Sequence, residues 1–574
     1  MPGSSEPWVR RAWRRVRATI RREPEDVQAA IGRWWPAAEP AQAQPSVPWD
    51  SVVDQLLRHG WTLSAGTLLL ERGEADRAMD MAARVLARRR DASTLQAASR
   101  IAYQAAQLGQ AGEWADALEA AAPSGGVDQR LIAAIRERCA VLARLERPPQ
   151  RASVTPAPRR VLALLAYRLP YTSNGYATRS HGLLTAVHQL GWDVRAYSRP
   201  GYPEQAAPGQ AGAELPLRDR VGELEYGRMA RTERRRFGHM PYLLAAADEI
   251  AQHIAELKPA VVHAASNYMT ALPACIAAHE AGLPFVYEVR GFWDVTRASS
   301  DPGFATTAEY RHLRHFEARL LRQADAVVTL TGAMRDELIR RGAPGDRIEV
   351  APNAVDLESL RPRPASAELA HRLGLPADRP VIGYVGSFVD YEGLDDLVSA
   401  CAELARAGRA FHLLLVGDGL ALSAVQQGIS EQGLAPHTTL TGRVPHEEVA
   451  DYYALMDICA FPRKAWPVCE LVSPLKPFEA MALEKAVLVS SVAAMAETIE
   501  EGVNGRVFAK GSVSGLTAAL ASLLDDVPGA RAMGRRAREW VRSHRTWQGS
   551  ARAVERAYLA ATRHRAEQSI GDNP

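Results

Sequence analysis

The densest set of side chains with chemical potential lies in one segment, residues 461–482 (FPRKAWPVCELVSPLKPFEAMA). The segment carries three cations, Arg463, Lys464 and Lys476. Pro477 suits the first position of a helix, because its missing N–H would be unpaired there in any case. Free N–H groups in that first turn, together with the cations, would attract a diphosphate.

A carboxylate completes this set. Glu479 falls at the third position of the predicted helix, where it can accept two hydrogen bonds from a ribose diol. Taken alone, Glu479 is better explained as stabilisation of the helix start, and the cations as a solvated loop. Their common location favours a binding site, with Arg463 and Lys476 as catalytic candidates.

Lysine is scarce in this chain. Five of the 69 basic residues are lysine, and three of those five lie between positions 464 and 485. Lysine offers a compact charge and arginine a planar fork, so a retained lysine can mark a place where arginine does not serve. We expect Lys485, which follows Glu484, on the surface, and Lys476 at a phosphate.

Other motifs with known chemistry are incomplete. Residues 417–419 (GDG) follow a predicted strand, but Leu422 stands where a dinucleotide-binding loop needs glycine or alanine, so we expect a tight turn lining a cleft. Residues 446–448 (HEE) begin like a zinc motif, yet Ala450 replaces its second histidine. The sequence contains no Walker lysine loop and no Cys-x-x-Cys pair. We expect neither a metal nor a bound cofactor.

Composition narrows the class of protein. The chain has 574 residues, 47% hydrophobic and 24% charged, which is typical of a globular protein of several domains. A formal charge of +3 provides no field for nucleic acid, which is not an expected partner. Dispersed cysteines, no apolar run of membrane-spanning length and no signal peptide indicate a cytoplasmic protein.

Two series of short apolar runs alternate with amphipathic stretches after residue 159. This alternation predicts two parallel sheets, each covered by helices on both faces. Because ligands bind at the carboxyl ends of such strands, we expect the active site in the cleft between two doubly wound units. The predicted strands are 161–166, 194–197, 260–263, 285–288, 326–330 and 348–351, then 381–385, 412–416, 438–441, 458–461 and 487–490.

The N-terminal part predicts helices. Residues 10–22 contain seven arginines and no acid, with apolar residues at helical spacing. Such a helix could lie on an anionic membrane surface or pack on its own protein. An Ala/Pro/Gln-rich linker occupies 36–48, and the sequence predicts helices over 51–145.

Two segments of the helical region share a pattern. Residues 72–80 and 111–119 have Gly-Glu-x-x-x-Ala spacing 39 residues apart and resemble tetratricopeptide hairpins. This similarity favours a protein-binding role for residues 1–150 over chemistry. A second proline-rich linker, 147–158, closes the region.

Residues 159–550 resemble the retaining glycosyltransferases of family 4. The resemblance implies the GT-B fold, an α/β architecture of two Rossmann-like domains facing across a cleft, with a nucleotide-sugar between them. The motifs that carry it are 169–181 (LPYTSNGYATRSH), 287–293 (YEVRGFW), 351–356 (APNAVD), 384–394 (YVGSFVDYEGL), 416–419 (VGDG) and 461–482.

The resemblance also assigns residues to the site. It implies that Glu479 binds the nucleotide ribose and that the loop of Asn174 and Gly175 lies against the diphosphate or the acceptor. The alternative for this Asn-Gly pair is a plain turn, and the binding role is favoured. The remaining donor-binding positions that it implies are Lys464, Ser473, Leu475, Gly386 and Gly417.

The sequence departs from the family at three places. Family members usually have two glutamates separated by seven residues, whereas Glu470 and Glu479 are separated by eight. Glu470 stays a candidate for contact with the donor sugar. Where many members have arginine and lysine after the first strand of the second domain, this chain has Ser387 and Glu392, so the phosphate charge must be met elsewhere.

The third departure is Arg290, at the end of the fourth predicted strand, where many members have a histidine. Arg290 could bind a phosphate or a sugar hydroxyl, but guanidinium cannot act as a base. An ion pair with Glu288 or Asp294 is the structural alternative.

These observations predict five regions: the basic helix and linker (1–50), the helical region (51–158), the acceptor-side domain (159–365), the nucleotide-sugar domain (366–540) and a C-terminal crossover helix (541–574). The expected function is retaining transfer from a nucleotide-sugar, expected to be a UDP-sugar, to a glycan or lipid-linked acceptor in bacterial surface polysaccharide synthesis. The alternatives are a nucleotide-sugar epimerase of the same fold and an inactive scaffold acting through its helices. The expected location is cytoplasmic, with possible attachment to the inner face of the plasma membrane.

Overall fold

The computed structural model describes residues 49–58, 60–122, 126–149, 155–203 and 215–571. The basic amphipathic segment and the linker at 36–48 lie outside these residues, as do five positions of the second linker. The chain divides into two compact units, Met1–Arg147 with Asp301–Arg319, and Pro148–Ser300 with Leu320–Pro574. No helix in the described ranges is both long and apolar enough to cross a membrane.

The first unit confirms the predicted helical region. Apolar residues at intervals of three and four form its core, including Leu69, Ile101 and Trp114. Asp91 caps one helix by accepting a hydrogen bond from the N–H of Thr94. The described helices before residue 147 are α1 (Trp49–Arg58), α2 (Thr62–Glu71), α3 (Ala75–Arg88), α4 (Ala92–Gln104), α5 (Leu108–Ala121) and α6 (Gln129–Leu145).

The two copies of the Gly-Glu-x-x-x-Ala pattern do not occupy equivalent positions. Gly73 lies in the turn before α3 with φ +80°, and Glu74 is the residue preceding that helix. Gly112 lies inside α5. The shared spacing therefore does not mark the same place in two hairpins.

A segment distant in sequence completes the helical unit. Residues 301–319 lie within the range predicted for the acceptor-side domain, but they pack with the helices. The Arg311 Nε donates to the carbonyl oxygen of Gln104 at 2.6 Å, and the rings of His312 and Tyr103 are 4.8 Å apart. The helical unit is thus built from two segments that are separate in sequence, residues 1–147 and 301–319.

The second unit contains both predicted sheets. In the first sheet the order is β3-β4-β2-β1-β5-β6-β7-β8, and all neighbours are parallel except β3 and β4. Leu162 on the central strand pairs with Arg195 on one side and Val262 on the other. Its strands are β1 (Arg160–Leu165), β2 (Asp193–Ser198), β3 (Arg218–Val221), β4 (Leu224–Arg228), β5 (Val261–Ala265), β6 (Phe285–Glu288), β7 (Ala326–Thr329) and β8 (Ile348–Val350).

The second sheet is parallel throughout, in the order β11-β10-β9-β12-β13-β14. Its central strands are buried along their whole length, as expected when helices cover both faces. Its strands are β9 (Val381–Val385), β10 (His412–Val416), β11 (Thr438–Leu440), β12 (Ile458–Phe461), β13 (Ala486–Ser490) and β14 (Arg506–Phe508).

The sequence pattern missed three of these strands, β3, β4 and β14. β3 and β14 are edge strands, and β4 is the next strand inward from β3. All three are short, with three to five residues that include charged side chains, so the apolar signal of a buried strand is absent. The helices after residue 159 are α7 (Gly175–Gln189), α8 (His239–Leu257), α9 (Tyr268–Glu280), α10 (Trp293–Ser300), α11 (Ala308–Gln323), α12 (Gly332–Arg340), α13 (Ala367–Arg372), α14 (Leu394–Arg406), α15 (Leu422–Glu431), α16 (Val449–Ala454), α17 (Pro467–Leu471), α18 (Lys476–Ala482), α19 (Ala493–Ala496), α20 (Val513–Asp525), α21 (Val527–His544) and α22 (Trp547–Gly571).

The C-terminal helix crosses back to the first sheet, as predicted. Trp547, Val554 and Tyr558 of α22 lie in the apolar core that contains β1. Gly182 of α7 makes room for the helix, because a Cβ there would lie 2.4 Å from the Trp547 ring. The crossover helix predicted over 541–574 begins at Trp547, and residues 541–544 belong to the preceding helix α21.

Candidate functional site

The two Rossmann-like halves meet at the loop between α17 and α18. Thr331 Oγ1 donates to the carbonyl oxygen of Leu471, and Asn353 Nδ2 donates to that of Ser473, each at 2.8 Å. Leu475 packs in the apolar core of the first half, where the backbone of Gly175 lies nearby. Ser473 and Leu475, predicted to bind the donor, thus connect the halves beside the carboxyl ends of their strands.

Asn174 has a defined structural task. Its side-chain oxygen accepts a hydrogen bond from the N–H of Ala177 at 2.9 Å, which caps α7. Gly175 is the first residue of that helix. A Cβ on Gly175 would meet only Leu475, at an ordinary contact distance of 3.5 Å, so its glycine identity is not required by crowding within the protein.

A buried carboxylate organises the cations of the second half. Glu392, 3% exposed, follows β9 in a short 3-10 turn. Its Oε1 lies 3.0 Å from Lys476 Nζ and 3.6 Å from Arg463 Nε. Burial would raise the pKa of Glu392, but Lys476 and Arg463 hold it below its ordinary value. Glu392 was treated in the sequence as a missing cation, and the structure gives it a role that no pattern indicated.

Lys476 is the cation of this cluster that reaches the surface, with 18% of its side chain exposed. Its Nζ donates to Tyr384 Oη at 2.6 Å, and that hydroxyl donates to the carbonyl oxygen of Ser387 at 3.0 Å. With Glu392 as the second partner, two of the three ammonium N–H groups are used within the described part of the chain. Burial lowers the pKa of Lys476, and the neighbouring Glu392 opposes that effect.

Arg463 faces inward instead. It is 4% exposed, its Nη1 donates to the carbonyl oxygen of Val472 at 2.6 Å, and its guanidinium lies over the ring of Tyr391. The predicted catalytic role would require this side chain to leave a buried ion pair. In the structure Arg463 balances the charge of Glu392 and supports the loop between the halves.

The two glycines predicted to bind the donor shape the strand ends. Gly386 follows β9 with φ +142°, and a Cβ there would lie 2.3 Å from Lys476 Cε. Gly417 follows β10, and a Cβ there would lie 1.9 Å from the carbonyl oxygen of Gly386. Close packing of the two loops explains both glycines, and it places the Lys476 side chain directly over Gly386.

The start of α18 differs from the predicted one. The helix has seven residues and begins at Lys476, with Pro477 in its second position. The N–H groups of Phe478 and Glu479 both donate to the carbonyl oxygen of Leu475, and proline has none. The expected row of free amides is therefore absent, so charge at this place comes from side chains.

Glu479 lies in the first turn of α18, half-buried. Its negative charge raises the pKa of the Tyr453 hydroxyl further, adding to the larger effect of burial, and also contributes to keeping Lys476 charged. The side chain thus lies close enough to Lys476 and Tyr453 to act on their charge, and its contact with a ribose stays a prediction.

Two other predicted residues lie apart from this cluster. Lys464 Nζ pairs with Asp395 at 2.6 Å on the surface. Glu470 accepts a hydrogen bond from the N–H of Ala493 at 2.8 Å and pairs with Lys510 at 2.5 Å. Glu470 therefore stabilises the start of α19 in the structure.

Arg290 belongs to a buried network in the first half. It pairs with Glu288 at 2.5 Å and donates to Ser180 Oγ at 2.6 Å. Arg179 pairs with Oε1 of Glu288 at 2.8 Å. His263 Nε2 lies 3.3 Å from Oε2 of Glu288, which is the oxygen that Arg290 binds. The ion pair with Glu288, the structural alternative for Arg290, is the one present.

Lys485 is not the free surface residue that the sequence suggested. It is half-buried at the amino end of β13, and its Nζ donates to the carbonyl oxygen of Ala454 at 3.4 Å. No group of three or more His, Cys, Asp or Glu side chains suited to a metal occurs within the described ranges.

Two family descriptions match the part of the chain that contains the two sheets. Residues 174–354 match the glycosyl transferase 4-like domain, and residues 379–526 match the glycosyl transferases group 1. A 2-deoxystreptamine glucosyltransferase from Streptomyces kanamyceticus is 30% identical over 285 residues, which are 49% of this chain and 71% of that protein.

A second relative acts on a lipid. The GDP-mannose-dependent alpha-(1-6)-phosphatidylinositol monomannoside mannosyltransferase of Mycolicibacterium smegmatis is 31% identical over 44% of this chain and 66% of its own length.

Solved structures share the fold. Sucrose-phosphate synthase from Thermosynechococcus elongatus superposes with a TM-score of 0.56 at 20% identity, covering 70% of this chain and 98% of that one. Anabaena HepE in complex with UDP superposes with a TM-score of 0.53 at 16% identity, covering 70% of this chain and 100% of that one. These similarities confirm two Rossmann-like domains of GT-B type.

Proposed function

This chain belongs to the group 1 glycosyltransferases and has their GT-B fold, and we propose that it transfers a sugar with retention from a UDP-sugar to a glycan or lipid-linked acceptor. The observation that carries the proposal is the geometry of Lys476. Its ammonium lies at the carboxyl end of β9 and has a third N–H that no described residue accepts, and 18% of the Lys476 side chain is exposed. That end of a parallel sheet is where ligands of such folds bind.

The reaction proposed is a same-face displacement. The bond between the anomeric carbon and the diphosphate oxygen breaks, the acceptor hydroxyl bonds to that carbon on the same face, and its proton passes to the departing diphosphate. Lys476 stabilises the negative charge that develops on the diphosphate, and no enzyme nucleophile is needed. A protein cation at this place supplies charge that a metal supplies in other transferases, so we propose that no metal is required.

Glu479 is proposed to hold the ribose through its two carboxylate oxygens. It lies three residues after Lys476 in α18, and residues at this spacing are neighbours on one side of a helix. A lipid-linked acceptor is supported by the mannosyltransferase relative, whose named acceptor is a phosphatidylinositol monomannoside. Bacterial surface polysaccharide assembly is the proposed setting.

Donor hydrolysis tests this proposal. The full chain is incubated with UDP-glucose, UDP-N-acetylglucosamine and GDP-mannose, and released nucleotide and sugar are followed by NMR, with and without EDTA. We expect free UDP and a sugar of unchanged anomeric configuration, at the same rate in EDTA. Release from GDP-mannose alone would overturn the choice of base, an inverted sugar would overturn retention, and a new nucleotide-sugar without free nucleotide would indicate an epimerase. Neither turnover nor nucleotide binding would indicate a scaffold.

A peripheral membrane location is proposed for residues 1–22, from their arginines and apolar spacing. Vesicles containing anionic lipid are pelleted with the full chain and with the chain lacking residues 1–22. We expect less of the truncated protein in the pellet. Equal amounts would reject the membrane role, and in that case the region is left with the proposed protein-binding role.

A further inference from the structure

Glu392 is an unexpected residue at a place that must attract a diphosphate. It is 3% exposed, and its Oε2 has no hydrogen-bond partner among the described residues. A buried carboxylate with an unsatisfied oxygen costs free energy unless its charge is compensated nearby. Two cations provide that compensation, Lys476 at 3.0 Å and Arg463 at 3.6 Å from Oε1.

The charges of this cluster are unequal in their exposure. Arg463 is 4% exposed and is fixed by Val472 and Tyr391, so it neutralises Glu392 from the inside. Lys476 lies on the outside, with 18% of its side chain exposed. Glu392, Arg463 and Lys476 carry one negative and two positive charges, and Lys476 is the more exposed of the two cations. Glu479 adds a second negative charge on the helix that carries Lys476.

The path of the Lys476 side chain is also fixed. Its Cε lies 2.3 Å from the position that a Cβ of residue 386 would take, so the lysine side chain runs directly over the Gly386 backbone. Glu392 and Tyr384 then take two N–H groups, and the Tyr384 proton is used by the carbonyl oxygen of Ser387. The third N–H therefore points away from these two partners, and no described residue accepts it.

We propose that Glu392 is a positioning residue that holds the Lys476 ammonium at the carboxyl end of β9, with its free N–H aimed at the leaving diphosphate. This inference rests on the proposed function. A lysine on a flexible stem loses rotamer freedom when it binds an anion, and Glu392 imposes that order before the donor arrives. Removing Glu392 should then weaken stabilisation of the developing charge even though a repulsive carboxylate has been removed.

The central experiment is a double-mutant cycle on the full chain. Glu392→Gln keeps the shape of the side chain and removes its charge, and Lys476→Met keeps most of the length of the lysine. Donor hydrolysis and UDP binding by calorimetry are measured for both single variants and for the pair. We expect Glu392→Gln to lower kcat by about tenfold or more, since one unit of 1.36 kcal/mol in the barrier is tenfold in rate.

Coupling separates positioning from a merely structural effect. In the Lys476→Met background, Glu392→Gln should change kcat less than twofold, because the lysine through which it acts is absent. The matched control is Asp457→Asn, which removes an ion-paired carboxylate at the opposite end of the same sheet, where Asp457 binds Arg531. The proposal would be overturned if Glu392→Gln lowered kcat tenfold in both the wild-type and the Lys476→Met backgrounds, or if Asp457→Asn lowered kcat as much as Glu392→Gln does.

A second pair of variants, in which Glu392 and Lys476 exchange their charges, tests the proposal if Glu392→Gln does not fold. If thermal unfolding shows that Glu392→Gln is not folded, Glu392→Lys combined with Lys476→Glu is compared with Lys476→Glu alone. The two side chains are 3.0 Å apart, so they can still pair after the exchange. The cation then lies on the turn after β9, and the carboxylate lies on α18. Recovery of UDP binding by at least tenfold supports the proposal, and a folded pair without recovery overturns it. A wild-type chain that neither binds nor hydrolyses any donor would instead refute the proposed function.

Discussion

At the scale of single residues, the same charged groups that looked interchangeable in the sequence have different tasks. Arg463, Lys464 and Lys476 occupy one segment, yet one is internal, one pairs on the surface and one keeps a free N–H. Their partners make the difference, and those partners come from other segments. Side-chain type alone therefore does not identify a binding cation.

Replacing Lys476 by arginine tests whether its compact charge matters. A guanidinium is wider than an ammonium and does not fit over Gly386 with the same two partners. We expect Lys476→Arg to lower kcat/KM by about tenfold or more in donor hydrolysis, a loss of about 1.4 kcal/mol. Lys485→Arg, at the amino end of β13, serves as the control and should be close to wild type. Full activity of Lys476→Arg would mean that the scarcity of lysine reflects only coding bias.

Glu479→Ala tests the ribose contact. Two hydrogen bonds to a charged carboxylate are each worth about 1.5–3 kcal/mol, so UDP binding should fall by more than a hundredfold. Isothermal calorimetry with UDP is the measurement, and uracil alone is the comparison ligand, since it lacks the ribose. Unchanged UDP affinity in a folded variant contradicts the assignment.

At the scale of elements, the site is built from turns at strand ends. The loops after β9 and β10 interlock through Gly386 and Gly417, and the seven-residue helix α18 adds Lys476 above them. No helix start supplies a row of free amides here. Positioning depends instead on how tightly two glycine turns pack beneath one lysine.

Gly386→Ala should therefore act on Lys476. The new methyl group would meet Cε at 2.3 Å and the φ of +142° disfavours any side chain, so the lysine must move. We expect kcat in donor hydrolysis to fall at least tenfold. Gly408→Ala is the matched control, since Gly408 has φ +71° and open space around it. The Gly408→Ala variant should lose about 1 kcal/mol in its free energy of unfolding, because alanine at a positive φ is strained, but its kcat should be unchanged. Equal kcat values for the two variants would contradict this role for Gly386.

The sequence predicted the elements better than the contacts between them. Central strands such as β9 and β12 are continuous apolar runs because both faces are buried, and these were predicted at their observed positions. The pair of Glu392 and Lys476 spans 84 positions and two loops, and no local pattern records such a distance. Only the packing of β9 against β12 brings them together.

At the scale of the whole molecule, one buried network ties the first Rossmann half to the C-terminal crossover helix. Glu288 on β6 binds Arg179 of α7 and Arg290, and His263 of β5 lies between Glu288 and Tyr558 of α22, its Nδ1 2.7 Å from the Tyr558 hydroxyl. Four elements thus share one carboxylate. The arginine predicted to touch the donor is part of this framework.

The network predicts a pH-dependent contribution to stability. Although burial alone would raise it, Arg290 and Arg179 hold the pKa of Glu288 well below its ordinary value. The contribution is complete above the unfolded pKa, about 4.3, and is lost as pH falls through the lower folded value.

Glu288→Gln leaves two buried arginines without their counter-ion and should destabilise the protein by about 3–5 kcal/mol at pH 7. Urea unfolding at pH 7, 5 and 3.5 measures the difference from wild type. The difference should be equal at the first two values and smaller at the third. A difference that is the same at all three contradicts the role of the Glu288 charge.

The discontinuous helical unit has a consequence for how the protein is made. Ribosomal synthesis at about 5–20 residues per second leaves roughly 8–30 seconds between the end of α6 and the emergence of residues 301–319, which complete that unit. During this interval Tyr103 and the carbonyl oxygen of Gln104 lack the partners that His312 and Arg311 later provide. The helices before residue 147 are thus synthesised before the segment 301–319 that completes their packing. A fragment ending before residue 301 would need a peptide of residues 301–319 supplied separately to complete the helical unit.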